Sequence, residues 1–151
     1  MGEKSKLVID ASVVVKWFVR EDDRAPALNL RELHVSGRVE LLAPDLLVYE
    51  VANALRFNPH LDAGDVERAV ESLFKLHIRL CPPSVALVAD AARKAKRYGI
   101  TVYDAAYMSL AEDEACNMVT ADGKLYGKVK GSGVVLLLPS DELNDWLKWK
   151  S

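Results

Sequence analysis

Cysteine is nearly absent from this chain: Cys81 and Cys116 are the only two, and their spacing matches no zinc or redox motif. Both are expected as core thiols. A disulfide between them becomes an option only in a hyperthermophilic source. Histidine is as sparse. His34, His60 and His77 are scattered and none adjoins an acidic block, which argues against a zinc site. No apolar run approaches the roughly 18–20 residues that span a bilayer. No leader-like apolar stretch precedes the first strand, and Met1-Gly2-Glu3 lacks a myristoylation pattern because position 6 is Lys6. A cytoplasmic location is therefore expected. Excess charge is also missing. A net charge of −2 excludes a chain that coats itself indiscriminately with nucleic acid. Any such contact must come from a local basic patch or from bound metal. Linkers, repeats and low-complexity tracts are absent too, so residues 1–151 are expected to form one domain.

What is present is an alternation of short apolar runs and amphipathic stretches, in a chain that is half apolar. Strands are expected at Lys6–Ile9, Val39–Ala43, Ile78–Cys81, Met118–Thr120 and Val134–Leu138. Helices are expected between them. They cover Ser12–Phe18, Ala27–Val35, Leu46–Arg56 capped by Asp45, and Val66–Lys75 opened by Asp62 and Asp65. Further helices cover Val85–Tyr98 between Ser84 and Gly99, a stretch begun by Thr101, Lys124–Val129, and a last one capped by Ser140. The pattern calls for an α/β fold with a mostly parallel sheet and helices on both faces.

The first strand ends abruptly on Asp10, where ligands bind in open parallel sheets. Asp122 lies just past the fourth strand and can meet Asp10 if the two strands are neighbours. Asp104 stands in a first helical turn, where a capping box with Thr101 would also explain it. Asp122 could likewise serve only to open the next helix. Glu50 and Asn53 share a face of an otherwise apolar helix. They are either its solvated stripe or part of a site, since burial without partners would cost several kcal/mol. Spacing alone leaves those alternatives open.

Four stretches narrow them. Val8-Ile9-Asp10-Ala11-Ser12, Tyr49-Glu50-Val51-Ala52-Asn53, Tyr103-Asp104-Ala105-Ala106-Tyr107 and Thr120-Ala121-Asp122-Gly123 resemble, in order, the four blocks of the PIN domain. Within that family they most resemble the VapC-type toxin ribonucleases. The resemblance implies a three-layer α/β/α fold around about five short strands. It implies a magnesium- or manganese-dependent endoribonuclease in which Asp10, Glu50, Asp104 and Asp122 are the catalytic, metal-binding acids. Asp10 and Asp104 would be the direct ligands, with Glu50 and Asp122 completing the shell or placing water. Ser12, Asn53 and Thr120 would orient the carboxylates. It further implies an RNA substrate, a small antitoxin of VapB-like or other class, and a homodimer. The chemistry agrees. Two carboxylates about 5 Å apart repel by roughly 3 kcal/mol at an effective dielectric near 20, so four need cations. Hard divalent ions prefer such oxygen ligands.

Other readings remain. A noncatalytic PIN-like module for RNA or protein would usually lack one of the acids. An aspartyl phosphatase would want an aspartate where Ser12 stands, and a receiver domain would want one where Pro82 and Pro83 follow the third strand. Arg93-Lys94-Ala95-Lys96-Arg97 and Lys124, Lys128 and Lys130 are candidate phosphate contacts, or simply solvated helix faces. Leu46, Leu47, Tyr49 and Val51 give the Glu50 helix more than one apolar side, for the core or another chain. Trp146 and Trp149, three apart, are a candidate contact face, with ordinary core packing the favoured reading.

Overall fold

A computed structural model describes residues 4–150. What was expected of Met1-Gly2-Glu3, and Ser151 of the proposed domain, lie outside the described residues. Five strands form one all-parallel sheet: β1 (Ser5–Ile9), β2 (Val39–Pro44), β3 (Arg79–Cys81), β4 (Asn117–Thr120) and β5 (Val135–Leu137), in the order β3-β2-β1-β4-β5. Leu7, Val8 and Ile9, flanked by Leu41, Leu42 and Ala43 of β2 and Met118 and Val119 of β4, are fully buried. Such continuous apolar runs suit strands covered on both faces.

Among the described residues eight α-helices surround the sheet. They are α1 (Ala11–Val15), α2 (Arg24–Val35), α3 (Leu47–Arg56), α4 (Ala63–Lys75), α5 (Val85–Tyr98), α6 (Val102–Asp113), α7 (Gly123–Val129) and α8 (Asp141–Lys150). The chain passes from β1 outward to β2 and β3, then returns across β1 to β4 and β5. Right-handed crossovers place the connections of these two passages on opposite faces. In keeping with this, α3 packs with α1 and α4, while α5 packs with α6. The reversal falls between β1 and β4, where their carboxyl ends open a crevice.

The caps explain most helix starts. Asp62 and Asp65 form a reciprocal capping box on α4, Ser84 caps α5 with Gly99 closing it at φ +66°, and the Ser140 hydroxyl accepts the Leu143 N–H of α8. Asp45 departs from expectation. Its N–H bonds the Cys81 carbonyl at 3.0 Å, and α3 starts from Leu46 without a side-chain cap. That bond continues the β2–β3 pairing by one residue, so Asp45 belongs to the strand's exit. The first helix is also shorter than expected, ending at Val15 before a turn. Trp146 packs against the core, but Trp149 is 87% exposed and so departs from the core role expected of it. Cys81 and Cys116 are free and half-buried, and burial pushes the Cys116 thiol up to about 11.

His34 ties three elements together. Its Nδ1 accepts the Leu41 N–H of β2 at 3.1 Å, and its Nε2 lies 2.7 Å from the Leu76 carbonyl at the end of α4. Truncating it would leave a strand N–H and a helix-end carbonyl without partners. His34→Ala is expected to cost about 2–3 kcal/mol, read as a lower urea midpoint with an unchanged slope.

Candidate active site at the sheet crevice

Asp10 leaves β1 beside β4, its N–H bonded to the Val119 carbonyl at 3.3 Å. It is 7% exposed, and both carboxylate oxygens are held. Oδ1 accepts from the Ser12 N–H at 3.1 Å and from the Ser12 hydroxyl at 2.5 Å. Oδ2 accepts from the fully buried Thr120 hydroxyl at 2.5 Å. Each hydroxyl then accepts a backbone N–H from the loop after β4: Ser12 from Ala121 at 2.8 Å, Thr120 from Asp122 at 3.1 Å. The expected orienting roles of Ser12 and Thr120 thus have a geometry. These bonds clamp the two strand exits together.

The remaining acids surround that point. Glu50, on α3, is half-buried, and its Oε1 accepts from the Tyr107 hydroxyl of α6 at 2.6 Å. Asp104 stands in the first turn of α6, and its N–H is taken by the Thr101 hydroxyl at 3.0 Å. Asp122 caps α7, with Oδ1 accepting the Lys124 and Leu125 N–H groups at 3.0 and 3.1 Å. Asp122 is therefore the cap of α7, whereas at α6 Thr101 caps the Asp104 N–H without a reciprocal box, and Asp104 and Asp122 line a common cleft. A cleft of about 450 Å³ is lined by Ser12, Lys16, Glu21, Glu50, Asn53 and Ala121. A second, of about 250 Å³, is lined by Thr101, Asp104, Asp122, Lys124 and Lys128. Asn53 sits at the rim of the first, where its Oδ1 accepts from Arg56 Nε at 2.8 Å and not from a backbone or acid partner.

The electrostatics link these groups. Burial, opposed by the Ser12 and Thr120 hydroxyls, raises Asp10 from 3.8 to about 6, and the Asp104 charge adds to the rise. Burial also raises Glu50, partly offset by the Tyr107 hydroxyl, with Asp104 again adding. Asp104 is raised by its own burial and by Asp122. Among the described residues none of the ion pairs involves any of the four acids. Of the basic candidates, Lys94 is clamped between Asp90 and Glu112, while Lys124 and Lys128 border the Asp104–Asp122 cleft.

No group of three His, Cys, Asp or Glu side chains among the described residues is set to enclose a metal ion as it stands. The donor set nevertheless fits a hard divalent cation. It offers only oxygen, its charges repel one another, and neutral donors hold it in place. Tyr107 is the site residue that sequence reasoning missed. Its signal was the spacing in Tyr103-Asp104-Ala105-Ala106-Tyr107, which puts a hydroxyl one turn beyond an acid on the same helix face.

The crevice lies at the topological switch of the sheet, and comparison with known proteins places the fold. The PIN-domain family model matches residues 7–130. Ribonuclease VapC3 of Pyrobaculum aerophilum is 36% identical over 127 residues, spanning 82% of this chain and 94% of the relative. The chain therefore belongs to the PIN-domain family and is a homologue of the VapC ribonucleases. Solved structures share the fold. PAE2754 from Pyrobaculum aerophilum superposes with a TM-score of 0.63 at 23% identity, covering 90% of this chain and 92% of that one. VapBC-5 from Mycobacterium tuberculosis, a member of the VapBC family of toxin-antitoxin systems, gives 0.58 at 15% identity, covering 90% and 99%.

The raised pKa of Asp10 has a consequence for the metal-free fold. A neutral Asp10 carries no penalty below about pH 3.8, and the cost of ionising it develops as pH rises and is complete above about 6. That cost is about 3 kcal/mol. In chelator, Asp10→Asn is expected to be more stable than the natural protein at pH 7.5 by up to that amount, with the gap closing towards pH 4. A less stable variant at pH 7.5 would contradict this.

Proposed function

We propose that this protein is a metal-dependent endoribonuclease, the toxin of a toxin-antitoxin pair, and that it hydrolyses RNA phosphodiester bonds. The observation that carries the reading is the set of four acids at one sheet edge, with the carboxylates of Asp10, Glu50 and Asp122 held by hydroxyls or backbone N–H groups and none of the four in an ion pair among the described residues. Kinship with Ribonuclease VapC3 supplies the substrate class.

Asp10, Glu50, Asp104 and Asp122 would hold a magnesium or manganese ion. Such an ion, when bound, supplies positive charge to the phosphodiester and lowers the pKa of water. The chain's own part is orientation. Ser12 and Thr120 fix both oxygens of Asp10. The α7 cap holds Oδ1 of Asp122, which leaves Oδ2 outside the cap. Lys124 and Lys128, beside the Asp104–Asp122 cleft, would draw the anionic strand towards acids that otherwise repel it. Their contribution should fade as salt rises.

An antitoxin partner follows from the same kinship, since the VapBC-5 neighbour belongs to a toxin-antitoxin family. The expected homodimer finds support in Tyr49, Val85, Val102 and Tyr103, apolar residues left exposed on α3, α5 and α6. Among the described residues no helix is long and apolar enough to cross a membrane.

The test is cleavage of defined RNAs with Mn²⁺, with Mg²⁺ and with chelator, and with the ends mapped. Cleavage is expected only with metal. Asp104→Asn should lower the rate by at least about 100-fold, in line with losing a group that supports charge in the transition state. Metal-independent cleavage, or full activity in Asp104→Asn, would overturn the assignment. A folded protein that binds RNA without cutting it would favour the noncatalytic module.

A further inference from the structure

We infer that Tyr107 is a positioning residue for Glu50: its hydroxyl holds one carboxylate oxygen so that the other is presented to a divalent cation. This rests on the metal-dependent reading above and deepens it. The Tyr107 hydroxyl donates to Glu50 Oε1 at 2.6 Å, and the whole residue is 1% exposed. With Oε1 committed, Oε2 is the oxygen left for a ligand. The ring lies in the main core, where a phenylalanine would fill the same space. Packing therefore accounts for the ring and leaves the hydroxyl to be explained.

Its surroundings explain it. The charges of Glu50, Asp10 and Asp104 all act on this phenol, which therefore lies among three of the four acids. A lysine placed there would neutralise a carboxylate and compete with a metal ion. A phenol restrains Glu50 without removing its charge. Helix α6 thus delivers two functions one turn apart, the Asp104 carboxylate and the donor that sets Glu50 on α3. The bond also ties α6 to α3, so the relative positions of Asp104 and Glu50 are fixed by a direct link. It is the counterpart, for Glu50, of what Ser12 and Thr120 do for Asp10.

The test is Mn²⁺ titration of chelator-stripped protein by calorimetry, in a cycle of the natural protein, Tyr107→Phe, Glu50→Gln and the double variant. Melting in chelator verifies that each variant folds, and the retained ring favours this. Tyr107→Phe is expected to weaken Mn²⁺ binding by about tenfold or more, the usual effect of removing a partner that orients a ligand. In the Glu50→Gln background the same change should have little further effect, because Tyr107 acts through Glu50. A purely structural tyrosine would weaken both backgrounds equally, and that result would overturn the inference. So would unchanged affinity in Tyr107→Phe. If the natural protein takes up no Mn²⁺, the metal-dependent reading itself falls, and the inference with it.

Discussion

The structure turns on the burial of carboxylates without salt-bridge partners at the β1–β4 crevice. Elsewhere on the molecule acids are answered by cations: Asp65 by Arg68, Asp90 by Lys94, Glu40 and Glu114 by Arg79. At the β1–β4 crevice they are held by hydroxyls and backbone N–H groups, and the Lys128 charge acts on Asp104 without a salt bridge among the described residues. Neutral donors can orient a carboxylate but cannot discharge it. Burial of these groups, with a smaller contribution from the neighbouring acids, raises the pKa values of Asp10, Glu50 and Asp104. A fold that tolerates such a cost is consistent with a site completed by a cation.

The rest of the architecture serves to gather these groups. An all-parallel sheet with β1 central brings the ends of β1 and β4 side by side. Ser12 and Thr120 then work in both directions, donating to Asp10 and accepting from the loop that carries Asp122. Asp122 shows that a helix cap and a site acid need not be alternatives. One oxygen closes the start of α7 and the other takes no part in the cap. Asp104 does something similar with its backbone, which the Thr101 hydroxyl anchors while the carboxylate stays half-buried beside Asp122.

Much of this was legible in the residues. Strand cores read clearly because β1, β2 and β4 are short unbroken apolar runs, and α5 read to its ends because Ser84 and Gly99 are strong local signals. Asp10 was visible as an acid closing a buried strand. What stayed hidden depended on contacts distant in sequence. Asp45 looked like a cap, yet pairing with β3 claimed its N–H. Tyr107 looked like one more core aromatic on a helix buried nearly all round, because its acceptor lies 57 positions away on α3. Asn53 shared a face with Glu50 as spacing required, but spacing could not show that Arg56 would engage it. Trp149 could not be separated from Trp146 by pattern alone, though one faces solvent and the other the core.

The central claim is that the four acids form one cation site. Anomalous diffraction at the manganese edge, from crystals equilibrated with Mn²⁺, tests it most directly. A peak is expected in the crevice, within bonding distance of Asp10 or Asp104 and bordered by Glu50 and Asp122. A well-ordered crystal with manganese bound elsewhere, or with no peak in the crevice at saturating Mn²⁺, would contradict it.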